Sequence, residues 1–150
     1  MKTIRLILTA LFLPTFAASA MDRLEALSRI ESQDNDRAIG PQWEVSRFQI
    51  LPALWDQARN WSKDANGVWN PVDPTIARGV VNRIMQARCR AFEARYRREP
   101  NNFEYYILWH RPACFIGRPN PRRITSAEID RGRRFANLCE NRNYAYAKND

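Results

Sequence analysis

The reading turns on Ile30-Glu31-Ser32-Gln33-Asp34-Asn35-Asp36-Arg37-Ala38-Ile39-Gly40, continued six residues later by Ser46-Arg47-Phe48-Gln49-Ile50-Leu51-Pro52. Upstream, Leu24, Ala26, Leu27 and Ile30 recur at helical spacing, so Asp22 to Glu31 reads as a helix with one apolar stripe. Glu31 closes that stripe beside Ile30, an odd position for a purely solvated acid. The helical period is lost over residues 32 to 47. Gln33 to Asp36 and Gly40-Pro41 are turn chemistry, leaving room for a short β-like hairpin segment near residues 40 to 48. From Ile50 to Trp61 the period returns, with Leu51, Leu54, Trp55 and Ala58 on one side and Pro52 near the start.

Further along, Asp73-Pro74 gives an N-cap followed by proline at the first helical position. The longest predicted helix follows, from Pro74 to about Arg98, with Ile76, Val80, Ile84, Met85, Cys89, Phe92 and Tyr96 inside. Asn102 is read as the cap of a shorter helix ending near Trp109. Residues 111 to 124 carry three prolines and a glycine and read as an ordered loop. Thr125 to Glu128 has the residue types of a capping box and opens a last helix with Ile129, Phe135, Ala136 and Cys139 facing inwards. The class is mostly α.

At the N-terminus, Lys2 and Arg5 precede an apolar run from Leu6 to Phe16 and an Ala18-Ser19-Ala20 cleavage pattern. This is signal-peptide anatomy, too short to span a bilayer. The expectation is a leader over 1–20 and one exported domain over 21–150, periplasmic or secreted, with no membrane span after cleavage. Of the 24 Lys and Arg, Lys2 and Arg5 leave with the leader, so the mature chain carries about +6 rather than +8. A basic exported protein suits polyanionic partners. The arginines from Arg118 to Arg134 would also suit nucleic acid, but the export signal argues against that partner, and a solvated helix face is the simpler reading.

Three cysteines allow one disulfide. Cys89 and Cys139 fall on apolar helical faces and form the first-choice pair, with Cys114 as the alternative partner. Neither the cysteine spacings nor the sole histidine, His110, builds a metal site, and no cofactor is expected. No Gly-x-Ser-x-Gly elbow and no phosphate-cradling glycine loop is present.

With these residues in view, the segment from Glu31 to Pro52 resembles the catalytic core of the lytic transglycosylase and goose-type lysozyme superfamily, which cuts bacterial cell-wall glycan. Glu31-Ser32 is similar to the family's catalytic Glu-Ser pair. Asn35, Ala38 and Gly40 match its following turn, and Phe48-Gln49-Ile50-Leu51-Pro52 its aromatic-Gln-Ile-x-Pro segment. Leu108 to Pro112 falls where relatives carry Ala-Tyr-Asn-Ala-Gly. The resemblance implies a lysozyme-like domain acting on the MurNAc–GlcNAc bond, with Glu31 as general acid. It further implies that Ser32, Phe48, Gln49 and Trp109 contact the glycan, Trp109 standing in for a groove-lining tyrosine, and Glu44 and His110 are expected beside them as substrate-binding residues. The sequence departs from the family at Ser46, where most relatives have glycine and which stiffens the turn, and at His110 and Pro112.

A protonated carboxyl near neutral pH is what glycosidic cleavage needs, and an apolar neighbourhood is one way to obtain it. The second carboxylate decides the product. Glu44 is the acid facing the motif, while Asp34 and Asp36 sit in the turn. With no clear base among them the transglycosylase outcome is preferred, a lysozyme-type hydrolase being the alternative. A non-catalytic peptidoglycan-binding relative is the remaining rival.

Overall fold

The structure, a computed structural model, describes residues 21–58, 70–117 and 123–140. Residues 1–20, where a leader is expected, most of the loop over 60–73 and the polar tail lie outside the described residues. Within them the fold is mostly helical. The helices are α1 (Arg23–Ser32), α2 (Pro52–Ala58), α3 (Pro74–Tyr96), α4 (Asn102–His110), α5 (Ala113–Ile116) and α6 (Ser126–Cys139). No helix among the described residues is long and apolar enough to cross a membrane.

The caps explain the helix boundaries. Asp22 accepts from the amides of Leu24 and Glu25 at the start of α1, and Asp73 from those of Thr75 and Ile76 at the start of α3. Thr125 and Glu128 form a reciprocal capping box on α6, as the residue types foretold. On α4 the cap is Asn101 rather than Asn102. Its side chain takes the amide of Glu104 while Glu104 returns to the amide of Asn101. Two adjacent asparagines offer the same chemistry, and the Glu three residues on selects the first.

Helix α4 is the axis of the core. Tyr105 to Trp109 are all buried, because α3, α5 and α6 pack against the helix. Gly132 lets α6 come close: a Cβ there would meet the Phe103 ring at 2.8 Å. Helix α1 lies against α6 and α3, burying Leu24, Ala26, Leu27 and Ser28. Each fully buried large side chain, such as Leu27, Phe92 or Phe135, contributes about 1.5–3 kcal/mol of transfer free energy.

Several expectations change. Ile50 is not helical; it pairs with Val45 in an isolated antiparallel bridge, and Val45 pairs in turn with Ile39. These bridges are all that forms of the hairpin segment. Leu51 is exposed, and α2 is described only to Ala58, so Arg59 to Trp61 lie outside the description. On α3, Ala77 and Val81 join the buried face, whereas Tyr96 is exposed, with its ring against Phe92 and Phe115. The expected loop after His110 contains the short helix α5, which holds Cys114. No disulfide links Cys89, Cys114 and Cys139, so the Cys89–Cys139 pairing is not formed.

Candidate active site

The last turn of α1 places Glu31, and the way that helix stops fixes where the chain goes next. Gln33 and Asp34 both take left-handed backbone (φ 57° and 65°), returning their amides to the carbonyls of Arg29 and Ser28. Asp34 is then held by the Ser28 hydroxyl and by Arg29 at 2.6 Å. Asp36 forms a two-pronged pair with Arg47 at 2.5 and 2.9 Å. Both turn aspartates are therefore occupied with structure. Ser32 is too: its hydroxyl donates to the carbonyl of Arg47 at 2.8 Å and accepts from the amide of Asn35 at 3.1 Å, tying α1 to the bridged segment.

The chain then doubles back through Ile39, Val45 and Ile50. Between Val45 and Ile50 the turn is tight enough to put Ser46 (φ 71°) and Gln49 (φ 50°) in the left-handed region. Glycine is the usual occupant of such a position. At Ser46, which is buried, the hydroxyl accepts from the amide of Phe48 at 3.3 Å, a bond glycine could not supply. Phe48 itself is 1 % exposed and belongs to the core. The expectation that it contacts ligand is corrected: within the turn from Ser46 to Gln49 its ring points into the core, while its neighbour Gln49, in left-handed backbone, lines the cleft.

An open cleft of about 730 Å³ lies between this segment, the end of α4 and the start of α6. Its walls include Glu31, Glu44, Gln49, Trp109 and His110, so five of the seven side chains singled out in the sequence converge there. Ser32 and Phe48 do not line it. Glu31 is nearly out of solvent, with 4 % of its side chain exposed, and its Oε1 lies 2.7 Å from His110 Nε2. The two residues are 79 positions apart, and the packing of α1 and α4 onto α6 and α3 brings them together. If Glu31 is ionised, Nε2 carries the hydrogen of this bond; if Nε2 is bare, Glu31 carries it.

Tyr106 supports the pair from below. Its ring centroid is 4.7 Å from that of His110, and burial, together with the Glu31 carboxylate, pushes its phenol well above the ordinary range. Trp109 presents only an edge to the cleft, being mostly buried. Arg88 lies 5.5 Å over its ring and donates to the carbonyls of Leu108 and Trp109 at 2.9 and 2.7 Å. That clamp closes the C-terminal end of α4, where His110 sits. Burial holds the Arg88 guanidinium down at about 10.

Across the cleft, Glu44 accepts from the amide of Gln42 at 2.8 Å, and Gln49 donates from Nε2 to the carbonyl of Ser46 at 3.1 Å. Both side chains lie over Gly40. A Cβ on that glycine would come within 2.5 Å of Gln49 Oε1 and even closer to Glu44 Oε2. The glycine is what lets a carboxylate and a carboxamide share this wall.

Arg111, Glu128 and Arg131 also line the cleft and were not singled out from sequence as site residues. Arg111 Nε meets Glu128 Oε1 at 2.5 Å. Burial pushes the Glu128 carboxyl up, but the amide of Thr125, the Arg111 guanidinium and the Thr125 hydroxyl outweigh it and bring it to about 2. The only prior signal was the capping box, which marks a helix start and says nothing of a cleft. Among the described residues no three His, Cys, Asp or Glu side chains converge as a metal site would need.

Chemically, the cleft offers a desolvated carboxyl with one oxygen fixed by imidazole, a second carboxylate and a carboxamide opposite, and two arginines at the side. A search against protein-family models, curated proteins and solved structures finds no match to this chain.

Proposed function

We propose that the chain is an exported, lysozyme-like enzyme that cleaves the MurNAc–GlcNAc β-1,4 bond of peptidoglycan glycan strands, with Glu31 as general acid and then base. The observation that carries the reading is Glu31 itself: a carboxyl with 4 % of its side chain exposed, on the wall of an open cleft. It stands in the segment whose Glu-Ser and Phe-Gln-Ile-x-Pro residues resemble the transglycosylase family.

In the forward step Glu31 gives its proton to the glycosidic oxygen as the C1–O4 bond breaks. The C6 hydroxyl of the same sugar then attacks C1, and its proton returns to Glu31. The product is a 1,6-anhydro sugar, and no water is consumed. His110 bonds one carboxyl oxygen at 2.7 Å, which leaves the other to face the substrate and steadies the carboxylate formed between the steps. In this reading it positions Glu31 rather than gripping the glycan. Gln49 and the edge of Trp109 line the groove.

The single-acid route is favoured because Asp34 and Asp36 are tied up in ion pairs. Glu44 is the one observation on the side of hydrolysis. It shares the cleft and would be the residue to hold a water on the opposite sugar face. Release of soluble fragments from purified sacculi tests the assignment: the natural protein should release them and Glu31→Gln should not. Binding without release would refute an enzymatic role.

A further inference from the structure

The turn that carries Glu44 into the cleft has an unusual occupant. The amide of Trp43 closes a β-turn onto the carbonyl of Gly40 at 3.1 Å, and the amide of Gly40 takes the carbonyl of Glu44 at 2.8 Å. Pro41 stands second in this turn, where its fixed φ is at home. A hairpin of this kind is completed by a residue in left-handed backbone, and glycine is the usual choice because it has no Cβ to crowd the carbonyl. Here the residue is Trp43, with φ 63°.

Trp43 is 74 % exposed. It therefore buries little in return for the strain of its backbone. Two disadvantages for folding coincide at one residue, and a glycine there would remove both. Strain of this sort is characteristic of sites that hold a ligand. The surroundings agree: Pro41, Gln42 and Glu44 all line the cleft, while the bridged Ile39 and the cleft-lining Leu51 expose further apolar surface.

We infer that Trp43, which stands between the cleft-lining Gln42 and Glu44 without lining the cleft itself, is a sugar-stacking platform beside its mouth, holding a pyranose ring of the strand beyond the residue bonded at Glu31. The flat indole meets the C–H face of a pyranose, while the sugar hydroxyls remain in water at the ring edge. A flexible polymer gains most from such a rim contact, since each ring held outside the cleft keeps the next one in register. This inference rests on reading the cleft as a glycan cleft.

The test is Trp43→Gly beside Trp43→Phe, with KM and kcat for fragment release from purified glycan strands and thermal unfolding of each protein. Trp43→Gly should melt at or above the temperature of the natural protein, raise KM about tenfold and change kcat far less. Trp43→Phe should recover most of the affinity. An unchanged KM in Trp43→Gly, with activity still abolished by Glu31→Gln, would overturn the platform and leave the cleft reading standing. A markedly lower melting temperature would instead make Trp43 a structural residue. Unchanged KM with lost binding to phosphatidylglycerol vesicles would make it a membrane contact, also against the inference. If the natural protein neither binds nor cleaves glycan, the cleft reading fails and the platform with it.

Discussion

Replacing Gly40 by Ala separates the cleft from the fold. The backbone of Gly40 is not in the left-handed region, so alanine strains no dihedral there. The added methyl would nevertheless stand 2.5 Å from Gln49 Oε1 and closer still to Glu44 Oε2, against an ordinary contact of 3.4–4 Å. Both side-chain ends must retreat by roughly 1 Å, the distance that brings such contacts back to normal packing. They are the far ends of flexible chains, so the stability change should stay within about 1 kcal/mol, or a few degrees in Tm. A displacement of 1 Å in groups that position substrate lowers turnover by about 100-fold. Fragment release from sacculi and a thermal melt on the same preparation measure both. Activity within about twofold of the natural protein would show that the placement of Glu44 and Gln49 over Gly40 is irrelevant to turnover. Wholesale loss of folding would show the glycine to be a structural requirement instead.

Two further predictions concern the ionisable groups. His110→Ala removes the partner of a nearly buried carboxyl and should lower kcat by about 10- to 100-fold, whereas His110→Gln, whose Nε2 can reach the same oxygen, should keep most of it; equal rates for the two variants would show that the hydrogen bond does not matter. Glu128 lies at about 2 in the folded chain against an ordinary 4.5, so its contribution to stability is full above 4.5 and fades as the pH falls towards 2. The melting-temperature deficit of Glu128→Gln should therefore be present at neutral pH and close over that window; a deficit that persists at the acid end would mean that the ion pair with Arg111 is not its source.

How much of this was legible beforehand follows from which interactions are local. The starts of α3 and α6 could be read because Asp73 and the Thr125–Glu128 box act on amides two or three residues away, whereas α1 was read from its apolar stripe and its cap, Asp22, was taken as part of the helix. Glu31 could be read because it ends an apolar stripe inside a recognisable motif. Phe48 and Gln49 could not be told apart by residue type. Which of the two faces the cleft is decided by the shape of the tight turn that the Val45–Ile50 bridge closes, with Ser46 and Gln49 in left-handed backbone. The His110–Glu31 bond was out of reach because it spans 79 residues and depends on how α1 and α4 meet α6. Arg111, Glu128 and Arg131 gather by the same packing, and in sequence they were indistinguishable from a solvated basic helix. Trp43 was hidden for another reason: a tryptophan next to turn residues reads as core until its exposure and left-handed backbone are seen.

The central claim is that Glu31 protonates a glycosidic bond in cell-wall glycan. Mass spectrometry of the fragments released from purified sacculi by the natural protein and by Glu31→Gln tests it most directly. The account predicts anhydro-ended muropeptides from the natural protein and none from the variant. Reducing ends that disappear in the variant would keep Glu31 as the acid and move the second step to Glu44 and water. Undiminished release by Glu31→Gln would contradict the account outright.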